Sequence, residues 1–315
     1  MKQTGHREVE HQVAVDAPAA TVYQLIAEAE NWPRIFPPVV HVDRIERTGD
    51  TERLRMWATA NGKPFGWTSA RVLDPAGKRV EFRQEVTTPP VAAMGGSWLI
   101  EPVTETTCLV RLIHEYRAVG DDPEGLAYIA AAVEANSQAE LAALMASAEQ
   151  DPGAAAELMV SFQDTVWVDG AIQDVYDYLN DAHLWAERLP HVDRISLTEE
   201  TPGLQILAMD TRIKDGSPHT TTSIRVCFPL GSIVYKQIGL PAPLTVHTGY
   251  WQLTEHGGRV SATSQHTAVL NAAYIPTMLG PDATTAQARA HIQDALSTNS
   301  LATLGHAKEY AESRR

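Results

Sequence analysis

The chain has 315 residues, of which 44% are hydrophobic and 20% are charged, a balance typical of globular proteins. Its formal net charge of −14 argues against nucleic acid as the main partner. No apolar run approaches the roughly 18 residues that a membrane-spanning helix needs, and the N-terminal residues lack the apolar core of a signal peptide. We therefore expect a cytoplasmic protein without a membrane partner. The two cysteines, Cys108 and Cys227, are far apart and indicate buried free thiols rather than a disulfide.

The first half of the chain predicts a strand, a short helix, a run of strands and a long helix. Apolar and charged residues alternate from Val9 to Val15, as in a strand. Asp16-Ala17-Pro18 predicts a helix start with Asp16 as the N-cap. Short β-like runs follow, separated by turn signals such as Asn61-Gly62. An alanine-rich segment, roughly Pro123 to Glu149, carries apolar residues at helical spacing and closes the half.

The second half repeats this order. The pentapeptide His-Val-Asp-Arg-Ile occurs at 41–45 and again at 191–195, and Trp98 and Trp251 are 153 positions apart. A second long helix is expected from about Asp282 to Tyr310. Because the matching positions occur in the same order, and because a period near 150 residues is domain-sized, the sequence indicates a duplicated domain and not a solenoid.

These elements predict the α+β fold class. The antiparallel sheet needs an apolar cover, and one helix of about 27 residues, about 40 Å long, can lie across it. We therefore predict two tandem domains, 1–153 and 154–315, each a curved antiparallel sheet wrapped around a long C-terminal helix. The gap between sheet and helix is a natural ligand cavity.

One strand of each half carries a serine and an arginine two residues apart. They are Ser69 and Arg71 in the first half and Ser223 and Arg225 in the second. Alternate residues of a strand share a face, so each pair points to one side and can hold an oxygen-rich ligand. For Arg225 the pattern leaves an outward orientation equally open, because the apolar residues of its strand lie on the opposite face.

Other repeated residues extend the candidate site. An arginine is a poor general base, so His114 and His266 are the repeated candidates for a proton acceptor, because an imidazole titrates near the working pH, although structural histidines are common. The remaining candidates are expected to bind substrate. They are aromatic walls, which ordinary core packing explains as well, and polar groups on inward-facing positions: Trp32, Trp67, Trp98, Tyr235, Trp251, Gln84, Gln237, Asn136 and Asn299.

With these features in this order, the chain resembles the di-domain aromatase/cyclases of bacterial type II polyketide synthases, which have the helix-grip (START-like) fold. The resemblance rests on Trp32-Pro33 after the first helix, on the Ser-x-Arg strand and on the tandem duplication. It implies an enzyme of antibiotic biosynthesis that uses no metal and no organic cofactor. The implied substrate is a poly-β-ketone attached through phosphopantetheine to an acyl carrier protein. The implied reaction is regiospecific aldol closure of the first ring and its dehydration to an arene, with Arg71 and Arg225 essential and Ser69 and Ser223 beside them.

The sequence also departs from that family and leaves alternatives. Single-domain relatives carry a tyrosine seven residues after the tryptophan of the Trp-Pro element, where this chain has Val39 and Val192. The second half has Thr221 where the first has Trp67, so the two cavities should differ. A lipid or small-molecule carrier of the same fold, without catalysis, is the main alternative. A dehydratase that acts only on a ketoreduced, already closed ring is a weaker one.

Docking of an acidic carrier protein on this acidic chain requires a local basic patch. The arginines that are close enough in sequence to form one are Arg44, Arg47, Arg53 and Arg55, which a solvated sheet face explains equally well.

Overall fold

A computed structural model describes residues 5–212 and 218–315 of the chain. The chain forms two compact units, one ending at Gln150 and the other beginning at Asp151. Each unit contains one seven-stranded antiparallel sheet and one long C-terminal helix. The predicted α+β fold is therefore confirmed.

The first unit follows the predicted order of elements. Its strands are β1 (Arg7–Val15), β2 (Val39–Thr48), β3 (Thr51–Ala60), β4 (Lys63–Asp74), β5 (Arg79–Val86), β6 (Val91–Pro102) and β7 (Cys108–Ala118). Its helices are α1 (Ala19–Ala27), α2 (Trp32–Ile35) and α3 (Pro123–Glu149), with single 3-10 turns at Ala29–Asn31 and Val119–Asp121. The strand order is β1-β7-β6-β5-β4-β3-β2, so consecutive strands pair from β2 to β7, and β1 joins the sheet beside β7.

The second unit repeats this topology. Its strands are β8 (Met159–Val168), β9 (Val192–Thr201), β10 (Leu204–Arg212), β11 (Pro218–Phe228), β12 (Ser232–Gly239), β13 (Leu244–His256) and β14 (Arg259–Leu270), in the order β8-β14-β13-β12-β11-β10-β9. Its helices are α4 (Pro152–Leu158), α5 (Ile172–Asn180), α6 (Trp185–Arg188), α7 (Ile275–Leu279) and α8 (Thr285–Glu312), with 3-10 turns at Ala182–Leu184 and Ala272–Tyr274.

The ends of the helices differ in part from the sequence expectations. Pro18, and not Asp16, is the N-cap residue of α1, and no side chain caps this helix. The backbone N–H of Asp16 instead donates to Oε1 of Glu149 at 2.9 Å, which ties the end of β1 to the end of α3. Thr284 and Gln287 form a capping box that fixes the start of α8 a few residues after the predicted one.

A tryptophan fastens the first helix to the next turn in both units. The indole Nε1 of Trp32 donates to the carbonyl of Leu25 at 3.1 Å, and Nε1 of Trp185 donates to the carbonyl of Tyr178 at 3.1 Å. Both indoles are buried. The repeated tryptophan therefore has a structural role in each unit, whatever its contact with a ligand.

One row of residues crosses each sheet at equivalent positions. In the first sheet the row is Glu52, Arg71, Phe82, Gly96 and His114, on β3 to β7 in that order. In the second sheet it is Gln205, Arg225, Tyr235, Gly249 and His266, on β10 to β14. Neighbours in a row are directly paired across adjacent strands, so their side chains lie side by side on one face. The duplication therefore places two versions of one polar row in two sheets.

Gly96 leaves room in this row for the ring of Phe82. A Cβ atom at Gly96 would lie 1.9 Å from the carbonyl oxygen of Ile113 and 2.7 Å from Cζ of Phe82. We expect Gly96→Ala to lower the free energy of unfolding by about 1–3 kcal/mol, because backbone and ring must both shift. Gly305→Ala in α8 is the control, since its Cβ would meet no heavy atom within 4 Å and alanine favours the helix by up to about 1 kcal/mol. Denaturant unfolding of both variants measures this, and an unchanged Gly96→Ala protein would contradict the packing.

Candidate active site

The first unit encloses a cavity between the concave face of its sheet and α3. Its volume is about 1230 Å³, including the open mouth. All eight candidates from the first half line it: Trp32, Trp67, Ser69, Arg71, Gln84, Trp98, His114 and Asn136. The inward orientation of Arg71 is thus observed, while the action of these residues on a ligand stays a prediction.

Arg71 is held in a fixed position on β4. Its side chain is 1% exposed, and Nη2 donates to the carbonyl oxygens of Ile26 and Ala27, at 2.8 and 3.4 Å, at the end of α1. The guanidinium carbon lies 4.9 Å from the ring centroid of Trp32. Desolvation is the main cause that lowers the pKa of Arg71, to about 10, and the neighbouring Glu52 raises it. The guanidinium therefore remains charged at neutral pH.

Glu52 compensates this charge from the neighbouring strand. Its fully buried Oε1 lies 3.2 Å from Nη1 of Arg71, and its Oε2 accepts a hydrogen bond from Nε of Arg44 at 3.0 Å. Arg44 also pairs with Glu30 at 2.7 Å near the surface. Nε and Nη1 of Arg71 have no hydrogen-bond partner among the described residues, because the contact with Glu52 lacks hydrogen-bond geometry. Nε and Nη1 of Arg71 therefore keep unused hydrogen-bonding capacity beside the cavity.

A carboxyl group that the sequence did not indicate lines the same cavity. Glu140 lies on α3, one turn after Asn136 and on the same face. Its side chain lines the cavity, and desolvation raises the pKa of this carboxyl to about 8. Glu140 is therefore mostly protonated at pH 7 and is poised to exchange a proton near the working pH.

His114 has different properties from those expected. We expected an imidazole that titrates near neutral pH, but burial lowers the pKa of His114 to about 4, and the nearby His11 lowers it further. Its Nδ1 lies 3.4 Å from the hydroxyl of Ser137, and its ring packs edge-on against Phe82 with centroids 5.4 Å apart. His114 is thus neutral and weakly basic, which makes it a poorer proton acceptor than the carboxylate of Glu140.

Two other predicted polar residues are engaged with the backbone. The hydroxyl of Ser69 donates to the carbonyl of Arg83 at 3.1 Å, and Nδ2 of Asn136 donates to the carbonyl of Thr59 at 2.9 Å. These bonds fix the sheet and the position of α3 over it. A ligand can therefore use the remaining lone pairs of these groups more readily than their donated hydrogens.

The second unit encloses a smaller cavity of about 800 Å³. The seven candidates from the second half line it: Ser223, Arg225, Tyr235, Gln237, Trp251, His266 and Asn299. The inward orientation of Arg225 is observed, and Ile224 and Val226 on the opposite face are buried as well. The apolar pattern therefore failed to decide the orientation of Arg225, because both faces of β11 are buried.

Arg225 differs from Arg71 in having no carboxylate partner. Nη2 donates to the carbonyl of Leu179 at 2.5 Å, and the guanidinium carbon lies 5.3 Å from the ring centroid of Trp185. The paired residue on β10 is Gln205, which takes the place of Glu52. Desolvation lowers the pKa of Arg225.

A hydrogen-bonded cluster occupies the other side of this cavity. Nδ1 of His266 lies 2.9 Å from the hydroxyl of Tyr235 and 3.0 Å from Nε2 of His247, while its Nε2 lies 3.0 Å from the hydroxyl of Ser264. Burial lowers the pKa of His266 to about 4 and that of His247 to about 3. The first cavity has Phe82 and Met94 at the positions equivalent to Tyr235 and His247, so this cluster belongs to the second unit alone.

The two buried imidazoles predict acid sensitivity of the protein. Below the unfolded-state pKa of about 6.5, the unfolded chain binds protons that the folded chain does not, so stability falls as the pH falls from about 6.5 toward 4. The fall is expected to be about 1 kcal/mol per pH unit for each histidine. His247→Met, which introduces the residue of the first cavity, should make the dependence shallower. Denaturant unfolding between pH 7 and pH 5 tests this, and an equal slope in both proteins would contradict it.

Sequence reasoning missed several residues of these cavities. The replacement of Glu52 by Gln205 could have been recognised in the sequence, because these positions are 153 residues apart like the other repeated pairs. Glu140 could also have been recognised, because it is an acid four residues after Asn136 on an otherwise apolar helix face. His247 gave no signal, because its equivalent in the first half is a methionine.

Two of the four arginines of the predicted basic patch are neutralised. Arg44 pairs with Glu30 and Glu52, and Arg53 pairs with Glu85 at 2.8 Å and with Glu46. Arg47 and Arg55 are the members of the patch without an ion pair among the described residues, so its positive charge is reduced by about half. In the described part of the chain, no helix is long and apolar enough to cross a membrane.

Each of the two duplicated units has a sheet, a long helix and a cavity that contains a buried arginine. This arrangement defines a class of tandem-domain proteins with a ligand cavity in each domain. Comparison with known proteins identifies the family. Residues 6–149 and 168–295 each match a family model described as "Polyketide cyclase / dehydrase and lipid transport". The chain belongs to this family, as the resemblance indicated.

The similarity to individual relatives extends over nearly the whole chain. The chain is 46% identical to the granaticin polyketide synthase bifunctional cyclase/dehydratase of Streptomyces virginiae, covering 94% of this chain and 97% of the relative. It is 43% identical to the actinorhodin polyketide synthase bifunctional cyclase/dehydratase of Streptomyces coelicolor, covering 98% of both. Among crystal structures, the di-domain ARO/CYC BexL from the BE-7585A biosynthetic pathway has a TM-score of 0.84 at 58% identity, and the di-domain ARO/CYC StfQ from the steffimycin biosynthetic pathway has a TM-score of 0.83 at 34% identity. Each covers 97% of this chain and is itself covered to 99%.

Proposed function

We propose that this protein is a polyketide aromatase/cyclase that directs regiospecific aldol closure of the first ring of a poly-β-ketone and its dehydration to an arene. Relatives named as bifunctional cyclase/dehydratases match it over nearly their full length. The observation that carries the proposal is the first cavity, where the charged guanidinium of Arg71 and the carboxyl group of Glu140 line one chamber walled by aromatic rings. A cavity that served only for apolar ligand storage would gain nothing from a buried carboxyl group.

The proposed reaction proceeds by proton transfers and one carbon–carbon bond formation. A base removes a proton from a methylene flanked by two carbonyl groups, and the enolate carbon attacks a ketone carbon further along the chain. The resulting alkoxide takes up a proton. A second α-proton is then lost while the hydroxyl group leaves as water, which forms a double bond, and enolisation of the remaining ketones completes the arene. No oxidant or reductant is needed, because the product differs from the substrate only by the loss of water.

Arg71 is proposed to stabilise the oxygen that becomes negative. Its buried Nε and Nη1 have no hydrogen-bond partner among the described residues and can donate to a ketone oxygen as charge develops there. Charge-assisted hydrogen bonds of this kind contribute about 1.5–3 kcal/mol each. Because Arg71 is fixed by Ile26 and Glu52, this interaction needs no rearrangement during the reaction.

Glu140 is proposed to carry the proton. With a pKa of about 8, its carboxyl group donates a proton to the alkoxide or leaving hydroxyl, and its ionised form accepts an α-proton. His114 is proposed as a neutral hydrogen-bonding group beside it. The indoles of Trp32, Trp67 and Trp98 are proposed to fold the flexible chain so that the reacting carbons meet.

The relatives place this protein in the context of a polyketide synthase. We propose that an acyl carrier protein delivers the poly-β-ketone through phosphopantetheine into the mouth of the first cavity. Because Arg44 and Arg53 are paired with acids, recognition is proposed to depend on the inserted pantetheine and polyketide chain more than on surface charge.

Reconstitution with a minimal polyketide synthase tests the proposed function. Addition of the protein should convert a mixture of spontaneously cyclised products into one product with an aromatic first ring. Glu140→Gln, which keeps the shape of the side chain, should leave the product mixture unconverted. The matched variant Glu134→Gln, on the exposed side of the same helix, should convert it as the wild type does. A product mixture that the wild-type protein leaves unchanged, together with co-purified lipid, would favour the carrier function. Activity confined to ketoreduced, already closed rings would favour a dehydratase.

A further inference from the structure

The charge balance of the two cavities differs at one position of the cross-strand row. In the first sheet the residue paired with the cavity arginine is Glu52, and in the second it is Gln205. Both residues are buried, with 2% and 1% exposure. The first guanidinium therefore has a carboxylate at 3.2 Å, while no acid of the described residues lies within ion-pair distance of Arg225.

The surroundings of Arg225 confirm this difference from every side. The groups with an electrostatic effect on it are Cys227, Tyr176, Glu199 and Asp181. Glu199 is exposed and accepts a hydrogen bond from Nε2 of Gln205 at 2.8 Å, so the amide separates it from the guanidinium. The charge of Arg225 is therefore left uncompensated at close range.

Among the described residues, Arg225 is also the only formally charged group that lines its cavity. Among the lining residues of the described chain there is no aspartate, glutamate or lysine, and the remaining polar groups are hydroxyls, amides and imidazoles. The buried His247 and His266 are neutral at pH 7. A fully buried and unpaired cation is costly, and an anionic ligand removes this cost.

Free hydrogen-bonding capacity remains on the guanidinium of Arg225. Nη1 is buried without a partner among the described residues, while Nη2 donates to the carbonyl of Leu179. A negative oxygen of a ligand can accept the charge-assisted hydrogen bonds that the guanidinium leaves unused. The indoles of Trp185 and Trp251 line the same cavity and favour a flat ring.

We propose that the second cavity binds a flat cyclic enol or phenol as its oxyanion, with the negative oxygen on Arg225. On the other side of the cavity, the hydroxyl of Tyr235 and Nε2 of His247 lie 2.9 and 3.0 Å from Nδ1 of His266, and Nδ1 of His247 is buried without a partner among the described residues. These neutral groups can accept a hydrogen bond from a second oxygen of the ring or donate one to it. The inference concerns binding alone and does not require the proposed ring closure.

Exchange of the two paired residues tests this inference in both directions. Gln205→Glu gives the second cavity the carboxylate of the first, and Glu52→Gln gives the first cavity the amide of the second. Each variant copies an arrangement that already exists in the other unit. The probe is 4-nitrophenol, whose ionised form absorbs visible light, and 4-nitroanisole is the control that cannot ionise.

The wild-type protein is expected to bind one 4-nitrophenolate per chain and to lower the titration midpoint of the bound probe by about one pH unit or more, as a nearby opposite charge does. Gln205→Glu should weaken this binding about tenfold or more, which corresponds to one pKa unit. Glu52→Gln should create a second site, and 4-nitroanisole should not distinguish the proteins.

A bound probe with an unshifted midpoint, equal binding by folded Gln205→Glu, or no second site in folded Glu52→Gln would overturn the inference. Phenolate binding by a protein that forms no aromatic product would instead retain it and reject the proposed function.

Discussion

Arg71→Ala is expected to lower the free energy of unfolding of the first unit by about 3–5 kcal/mol. The substitution leaves the buried carboxylate of Glu52 with Arg44 as its remaining cationic partner and removes the bonds to the end of α1. A loss of this size is large against the 5–15 kcal/mol of a typical domain. Denaturant unfolding followed by circular dichroism measures it. Loss of activity in Arg71→Ala alone therefore does not separate a catalytic role from misfolding.

The double variant Arg71→Ala/Glu52→Gln provides the control. Removal of the carboxylate that has lost Arg71 should restore part of the lost stability, because an amide is less costly to bury than an incompletely compensated charge. Arg225→Ala is the matched substitution in the second unit and leaves no orphaned carboxylate, so its cost should be smaller than that of Arg71→Ala. Equal losses for the two single variants, with no rescue by Glu52→Gln, would show that the ion pair contributes little to stability.

Glu140→Gln is expected to reduce the rate of ring closure by about 10²–10⁴-fold, the usual contribution of a positioned acid–base group. In the wild type, the pH–rate profile should bend near pH 8, where the carboxyl group of Glu140 ionises. The bend should be absent in the variant. Initial rates of aromatic product formation between pH 6 and pH 9 check this. A variant with the wild-type rate and the same bend would remove Glu140 from the mechanism.

The stability of Glu140→Gln gives an independent check with a defined sign. The carboxyl pKa is higher in the folded than in the unfolded chain, so the folded chain binds one more proton between about pH 4.5 and pH 8. Stability of the wild type therefore falls as the pH rises through this window. The glutamine variant should be more stable than the wild type at pH 8 and about equal at pH 4.5. Glu134→Gln, on the exposed side of α3, should show no such gain.

The fold was predictable because its signals are local and occur twice. Alternation in Val9–Val15, the Asn61-Gly62 turn and the spacing in Pro123–Glu149 each specify one element. The repeat then showed that the same plan is used twice. The start of α1 was less predictable, because Asp16 bonds to Glu149, which is distant in sequence. A cap predicted from neighbouring residues does not register such a competing contact.

The site was predictable in position but not in its electrostatics. Strand parity placed Ser69 and Arg71 on one face, and both line the cavity. The pKa of His114 was wrongly expected near neutral, because burial depends on the whole enclosure and not on residue type. For the same reason nothing in the sequence indicated the pKa of Glu140, which desolvation in the cavity raises to about 8.

The product of the double variant Arg71→Ala/Glu52→Gln in a reconstituted polyketide synthase tests most directly whether the buried guanidinium of the first cavity directs ring closure. The protein is first shown to be folded by its circular dichroism and unfolding transition. We predict that the mixture of spontaneously cyclised products is the same with this folded variant as without any added cyclase. Formation of the single aromatic product at the wild-type yield would contradict the account.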